Sequence, residues 1–233
     1  MCGRYATFGP ASLSREARAV LEELEVDIIG EINQREPSYN IAPTAGGLVI
    51  GHGDTGYGVK WYRWGLVPSW SKDSKNGAKL FNARSETVAT MPSFRGAFRK
   101  RRCIVPASGY YEWRVEDGAK QPYFIHDPDG HLMMFAGLWE GWRASPDDDW
   151  LHTYTIVTGE PGRVTADIHQ RQPVILPPDL WRVWMAGETD EAAAVFAAVP
   201  EAPLVYHPVT KAVNSSRNQA SVLIEPIAPD RSA

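Results

Sequence analysis

The sequence predicts one α+β domain around a mostly antiparallel or mixed sheet with flanking helices. Three observations lead there. The 233 residues suit one large domain or two small ones and can bury about 70–75% of the unfolded surface. Short strand-like runs recur through the chain with helical stretches only at intervals, and strand-after-strand order favours α+β over a βαβ alternation. No repeat or long linker divides the chain, so a single unit over residues 1–225 is expected, with a loose tail over 226–233.

The elements follow in order. Ala17, Val20, Leu21 and Leu24 recur at helical spacing after Ser12 and Ser14, which predicts an amphipathic helix over 12–26. Asn40-Ile41-Ala42-Pro43-Thr44 reads as a loop leading into a strand at Leu48–Ile50, with a return strand at Tyr57–Trp64. Between them, Gly51-His52-Gly53-Asp54-Thr55-Gly56 fits the dinucleotide pattern GxGxxG. A pyrophosphate site needs a helix to open directly afterwards. The strand-like Val59-Lys60-Trp61-Tyr62 follows instead, so the glycines read as a hairpin turn. Further strands are expected at Cys103–Pro106, Tyr110–Arg114, Tyr123–His126, Leu132–Ala136 and Tyr154–Thr158. Helices are expected at Asp179–Met185 and Asp190–Val199, broken at Gly187.

Composition removes several classes. The chain is 43% hydrophobic and 22% charged, with a formal net charge of -4, so any nucleic-acid binding rests on a local basic patch rather than a global field. The run Arg99-Lys100-Arg101-Arg102 reads first as solvated surface and second as an extension of such a patch; Asp147, Asp148 and Asp149 are a matching acidic run. Nine tryptophans are many, and they divide between core and stacking surface. The two cysteines, Cys2 and Cys103, make neither a disulfide framework nor a zinc site, and no metal is expected. Cys103, before a strand-like Ile-Val, reads as a buried core thiol. No apolar run approaches a membrane span and no signal peptide is apparent, which gives the expectation of a cytoplasmic protein, nucleoid-associated in a bacterium, with no membrane partner. In that setting the sequon Asn214-Ser215-Ser216 is silent.

Cys2 carries the chemistry. Once Met1 is removed, Cys2 presents an amine and a thiol on adjacent carbons. Such a 1,2-aminothiol condenses with an aldehyde to a Schiff base, and the sulfur then closes a thiazolidine. An α-amine with a pKa of about 7.8 is roughly one-third neutral near pH 7.5, against about 0.1% for a lysine, and an unperturbed thiol is about 10% thiolate. On position alone, Cys2 would be an ordinary residue of a frayed terminus.

Several segments reverse that reading: Met1-Cys2-Gly3-Arg4-Tyr5, Trp64-Gly65-Leu66-Val67-Pro68-Ser69-Trp70, Asn82-Ala83-Arg84-Ser85-Glu86-Thr87, Cys103 through Trp113, and Ile168-His169-Gln170-Arg171. With Ala136-Gly137-Leu138-Trp139-Glu140 and Thr155-Ile156-Val157-Thr158, they resemble in register the SRAP family, the SOS-response-associated putative peptidases, over nearly the whole chain. The resemblance implies a distorted, barrel-like sheet. It also implies a protein of the DNA-damage response that senses abasic sites in single-stranded DNA and captures the ring-opened aldehyde through Cys2.

On that resemblance Glu112 becomes a proton shuttle beside Cys2, with a carboxyl pKa raised by apolar surroundings, and His169 a proton donor to the sugar oxygen. By type alone, both would be ordinary surface or structural residues, as His52, His126, His131, His152 and His207 are read to be. Asn82 hydrogen-bonds near Cys2 on the same grounds, with an Asx turn or helix cap as its ordinary alternative. Arg4, Arg84 and Arg171 are phosphate ligands by type and place. Trp70 is a stacking residue or a core residue, Asn40 and Pro43 belong to a DNA-lining loop, and Thr158 to the same pocket. Gln172 stands where family members often carry Met. The implied partner is single-stranded DNA containing an abasic site, with no small-molecule cofactor and a monomeric protein. Two alternatives stay open: a peptidase or amidohydrolase with an N-terminal cysteine nucleophile, and a non-covalent single-strand-binding module. A latent lyase activity and removal of Met1 by self-cleavage belong to the same expectations.

Overall fold

The computed structural model of the protein describes residues 2–227. Strand β1 (Arg4–Thr7) begins two residues after Cys2. Ser14 then caps helix α1 (Arg15–Glu23) by accepting the Ala17 amide at 3.1 Å, and Ala17 and Leu21 face the core. The helix is shorter than the pattern 12–26 predicts. Ser12 is held in a bridge to His131, and Glu25 turns to a φ of 57° just beyond the C-cap Leu24. Asp27 caps a second helix, α2 (Ile28–Asn33), which is followed by β2 (Ser38–Ile41).

Next come β3 (Gly46–Gly53) and β4 (Gly56–Trp64), an antiparallel hairpin in which Gly53 pairs with Gly56 around Asp54-Thr55. The GxGxxG string thus lies in the hairpin, and Gly56 takes a φ of 103° that only glycine adopts without penalty. After β5 (Asn82–Arg84) and α3 (Arg95–Lys100) the chain forms a run of long strands: β6 (Arg102–Ala107), β7 (Gly109–Glu116), β8 (Ala119–His126), β9 (Met133–Trp142) and β10 (Leu151–Gly159). It closes with β11 (Gln172–Pro173), α4 (Trp181–Ala186), α5 (Thr189–Ala198) and β12 (Val205–Pro208). Two residues of the tail expected over 226–233 are described; the rest lies outside the described residues.

Five strands, β10, β4, β3, β6 and β9, pair in a ring, so the sheet is a closed barrel. The closing contact is parallel, with Thr153 opposite Arg63 and Tyr154 opposite Trp64. β5 and β11 extend β10. The second sheet has the order β12-β8-β7-β1-β2.

Strand alternation sorts the second sheet into two faces. On one face Tyr5 and Tyr110 join Cys2 and the barrel residues Trp64, Cys103, Phe135 and Tyr154 in one buried cluster between the sheets. On the other face Ala6, Tyr111 and Phe124 pack under Val209, Val213 and Leu223. Helices α1, α3, α4 and α5 cover a third cluster against the barrel. Trp64, Trp181 and Trp184 are fully buried, whereas Trp61, Trp70 and Trp150 are exposed, so the tryptophans divide as their number suggests. Cys103 is buried, and burial pushes its thiol pKa up.

The basic run 99–102 does not behave as one surface. Arg99 and Lys100 are exposed, Arg101 pairs with Glu140 at 2.8 Å, and Arg102 is buried. The Arg102 guanidinium donates to the carbonyls of Phe98 and Arg99 at the end of α3, and to those of Trp184 and Gly187 at the end of α4. One cation thus satisfies the orphan carbonyls of two helix termini. Arg102→Met should lower unfolding free energy by about 3 kcal/mol or more, because those carbonyls become buried acceptors without donors. Urea unfolding checks this, and a midpoint unchanged from wild type would contradict it.

Candidate active site and nucleic-acid interface

Cys2 lies at the rim of the inter-sheet cluster with no solvent exposure. Its Sγ is 3.7 Å from the Arg4 carbonyl, a weak contact. The thiol pKa is raised, first by burial and then by the negative charge of Glu112. This overturns the expectation of a thiol that is already 10% thiolate: in this site the sulfur holds its proton until a base takes it.

Strand pairing delivers the neighbours. β7 runs antiparallel to β1, with Arg4 opposite Tyr111, and Glu112 shares the inter-sheet face of Tyr110. Glu112 is 3% exposed, and burial pushes its carboxyl up to about 7. β5 pairs in parallel with β10, Asn82 opposite Ile156, and this places the Asn82 amide so that Nδ2 donates to the Cys2 carbonyl at 2.8 Å. Asn82 is therefore a strand residue, not a turn or helix cap. Its Oδ1 is buried with no hydrogen-bond partner among the described residues.

His169 sits in the loop before β11, its Nδ1 3.9 Å from Glu112 Oε1. Nδ1 is 3.0 Å from the Arg171 backbone N–H and 3.2 Å from the Arg171 carbonyl, and the shorter contact favours a neutral ring with its proton on Nε2. Burial pushes the His169 pKa down, so the ring is neutral near pH 7. The four residues expected to do chemistry, Cys2, Asn82, Glu112 and His169, thus occupy one neighbourhood assembled from four separate chain segments.

The expected DNA contacts divide. Arg84 is exposed and pairs in register with Thr158. Arg4 is partly buried and reaches the Asn214 carbonyl at 3.4 Å. Arg171 forms a two-pronged pair with Glu86, at 2.8 and 2.9 Å, and also donates to the Thr158 carbonyl. Thr158 itself is buried, its hydroxyl 3.4 Å from the Ala83 carbonyl. Trp70 is 66% exposed, so it is not a core residue. Pro43 is half-buried, next to Thr44, whose φ of 78° is strained for a β-branched residue and is held by the Thr44 N–H to the Trp64 carbonyl.

Asn40 departs from the expectation of a DNA-lining loop residue. It lies in β2 at 1% exposure, and its Nδ2 donates to the carbonyls of Val213, Ser215 and Asn218. The side chain ties the segment after β12 to the sheet and is not presented to a ligand. Glu86 was passed over by sequence reasoning as a member of the site. It stood in the quoted Asn82–Thr87 segment, but no spacing rule brings it to Arg171.

A cleft of about 610 Å³ lies elsewhere, lined by Trp139, Trp142, Trp150, Arg101, Glu140 and His152 among others. It contains none of the four residues expected to do chemistry. No helix among the described residues is long and apolar enough to cross a membrane.

The chain is similar to known proteins in sequence and in fold. The abasic site processing protein YoqW of Bacillus subtilis is 35% identical over 229 residues, covering 97% of this chain and 99% of that protein. The abasic site processing protein YedK of Escherichia coli is 34% identical over 235 residues, covering 97% of this chain and all of that protein. A crystal structure of a protein from Bacteroides thetaiotaomicron, 22% identical, superposes with a TM-score of 0.77 over 97% of this chain, which shows the shared fold. Residues 1–216 match the model of the SOS response associated peptidase (SRAP) family, and the chain belongs to that family.

Proposed function

We propose that this protein processes abasic sites in single-stranded DNA by capturing the lesion's aldehyde covalently on Cys2. The observation that carries the reading is the convergence of Asn82, Glu112 and His169 on an N-terminal cysteine. The names of the relatives, abasic site processing proteins, point the same way.

The chemistry uses side chains of one protomer. After removal of Met1, the Cys2 amine attacks C1′ of the open-chain sugar. The His169 Nε2–H donates a proton to the departing carbinolamine oxygen, water leaves, the nitrogen's own proton returns to the ring, and a neutral Schiff base remains. The thiol then adds across the C=N bond: sulfur bonds to carbon, Glu112 receives the thiol proton, and nitrogen takes a proton in return. The net change is loss of one water. A carboxyl near 7 exchanges protons at neutral pH with little driving-force penalty. The buried Oδ1 of Asn82, without a hydrogen-bond partner among the described residues, suits a sugar hydroxyl as donor. Arg4, Arg84 and Arg171 hold phosphates, Trp70 stacks on a base and Pro43 lines the strand.

If the Schiff base forms and the ring does not close, β-elimination at the sugar is the competing path. It gives the protein a latent lyase activity. Removal of Met1 by the same Cys2, Glu112 and His169 is the peptidase counterpart.

Mixing the protein with three single strands tests the reading: an abasic strand, its borohydride-reduced alcohol, and an intact strand. A heat-resistant adduct is expected with the aldehyde strand alone. Adducts of equal yield with the reduced strand would contradict capture of a carbonyl. Asn82→Ala should slow single-turnover adduct formation by roughly 10²-fold through misplacement of the Cys2 backbone. A rate within twofold of wild type would remove Asn82 from the mechanism.

A further inference from the structure

The two-pronged pair of Arg171 with Glu86 bears on how DNA is admitted. A guanidinium presents two parallel N–H donors to two oxygens of a carboxylate or a phosphate in the same geometry. In this structure Arg171 gives Nη1 to Glu86 Oε1 at 2.8 Å and Nη2 to Glu86 Oε2 at 2.9 Å. Its Nη2 also holds the Thr158 carbonyl, and its backbone N–H holds His169. The cation is therefore fixed beside the proposed proton donor, with the fork that suits a phosphate already filled by a carboxylate of the same chain.

The partners are unequally placed. The Arg171 side chain is 17% exposed and Glu86 is 48% exposed. Glu86 stands in the turn that follows β5 and can rotate into solvent, whereas Arg171 is held at two further points. Glu86 is the half-exposed partner, and a phosphate offers the same two-oxygen geometry with more charge, so it can take the place of the carboxylate.

We propose that Glu86 is an internal stand-in for a DNA backbone phosphate: it keeps Arg171 oriented in the free protein and is displaced when a strand binds. The inference rests on the DNA-binding reading above and adds to it a residue that opposes binding. Strand engagement then costs the Glu86 contact and gains the phosphate contact at an Arg171 that needs no reorganisation.

The test measures equilibrium binding of an intact single-stranded oligonucleotide, which has no aldehyde, over a series of salt concentrations. Wild type, Glu86→Gln, Arg171→Ala and the double variant are compared. Glu86→Gln is isosteric and lies at the surface; Glu86→Ala serves as the second variant. Glu86→Gln should tighten binding at least roughly twofold, since a two-pronged pair is worth no less than an ordinary exposed one. The slope of log affinity against log salt should stay that of wild type, because Arg171 takes the same phosphate in both proteins. In the Arg171→Ala background the tightening should vanish, and the slope should flatten by about 0.7, the loss of one phosphate contact on a single strand. Tightening of equal size in the two backgrounds would mean that Glu86 acts only through net charge, and weaker binding by Glu86→Gln would mean that it supports the strand; either overturns the proposal. A wild type that binds no single strand would overturn the functional reading as well, whereas wild-type binding without coupling overturns this inference alone.

Discussion

Cys2→Ala should form no heat-stable adduct with an abasic single strand. The substitution removes one sulfur from a tightly packed position, so the expected stability loss is on the order of 1 kcal/mol and the fold survives. The α-amine remains. Cys2→Ala should therefore still condense to a Schiff base, which hydrolyses on heating but is fixed by borohydride reduction. Comparing heated samples with and without borohydride separates the amine from the thiol. Cys2→Ser should give a weak or labile adduct by the same logic, since a hydroxyl closes a less stable oxazolidine. A heat-stable adduct from Cys2→Ala would place the nucleophile elsewhere and end the thiazolidine account. The raised thiol pKa orders the steps: a protonated sulfur cannot lead, so the amine attacks first and the thiol follows with a base at hand.

Glu112→Gln should slow adduct formation by about 10²–10⁴-fold, the usual contribution of one positioned acid–base group. The wild-type rate should rise as pH passes about 7, where the carboxyl ionises and becomes able to take the thiol proton. In Glu112→Gln that limb should flatten. The same shift predicts an opposite effect on stability. The carboxyl pKa is about 7 in the folded protein against an ordinary 4.5. Between those values the native state holds a proton that the unfolded chain has lost, so stability falls as pH rises through this window. The penalty is complete above about 7 and amounts to about 3 kcal/mol. Glu112→Gln should then be more stable than wild type near pH 8, with the difference shrinking as pH falls towards 4.5. Chemical unfolding at several pH values, run beside single-turnover rates, checks both. A variant that loses stability near pH 8 would show the carboxylate to be a structural partner rather than a group held against its solvation preference.

Local patterning made much of the scaffold legible in the sequence. The β3–β4 hairpin, the strands β6 to β10 and the helix break at Gly187 follow from alternation, turn residues and caps. What pattern does not carry is pairing between distant segments. The parallel contact of β4 with β10 closes the barrel, and nothing near Arg63 announces Thr153. Helix α1 starts late because Ser12 belongs to a bridge with His131, again a partner far along the chain.

The candidate site divides along the same line. Chemistry-bearing residue types and the family resemblance suggested Cys2, Asn82, Glu112 and His169, and pairing of β1 with β7, of β5 with β10 and of β10 with β11 accounts for their meeting. Burial then altered individual readings. Asn40 became a fastener for residues 213–218, Arg102 left the basic surface for two helix ends, and the Cys2 thiol lost its ready thiolate. Glu86 shows the limit most plainly. An acidic residue is the wrong sign for a DNA interface, and only the geometry of Arg171 gives it a place there.

Intact mass of the protein after mixing with an abasic single-stranded oligonucleotide tests covalent capture most directly. The account predicts a species at the mass of protein lacking Met1, plus DNA, minus one water, and its survival through heating. Processed protein that lacks Met1 and yields no such species would contradict it, and would turn the reading of Cys2, Glu112 and His169 toward an amidohydrolase.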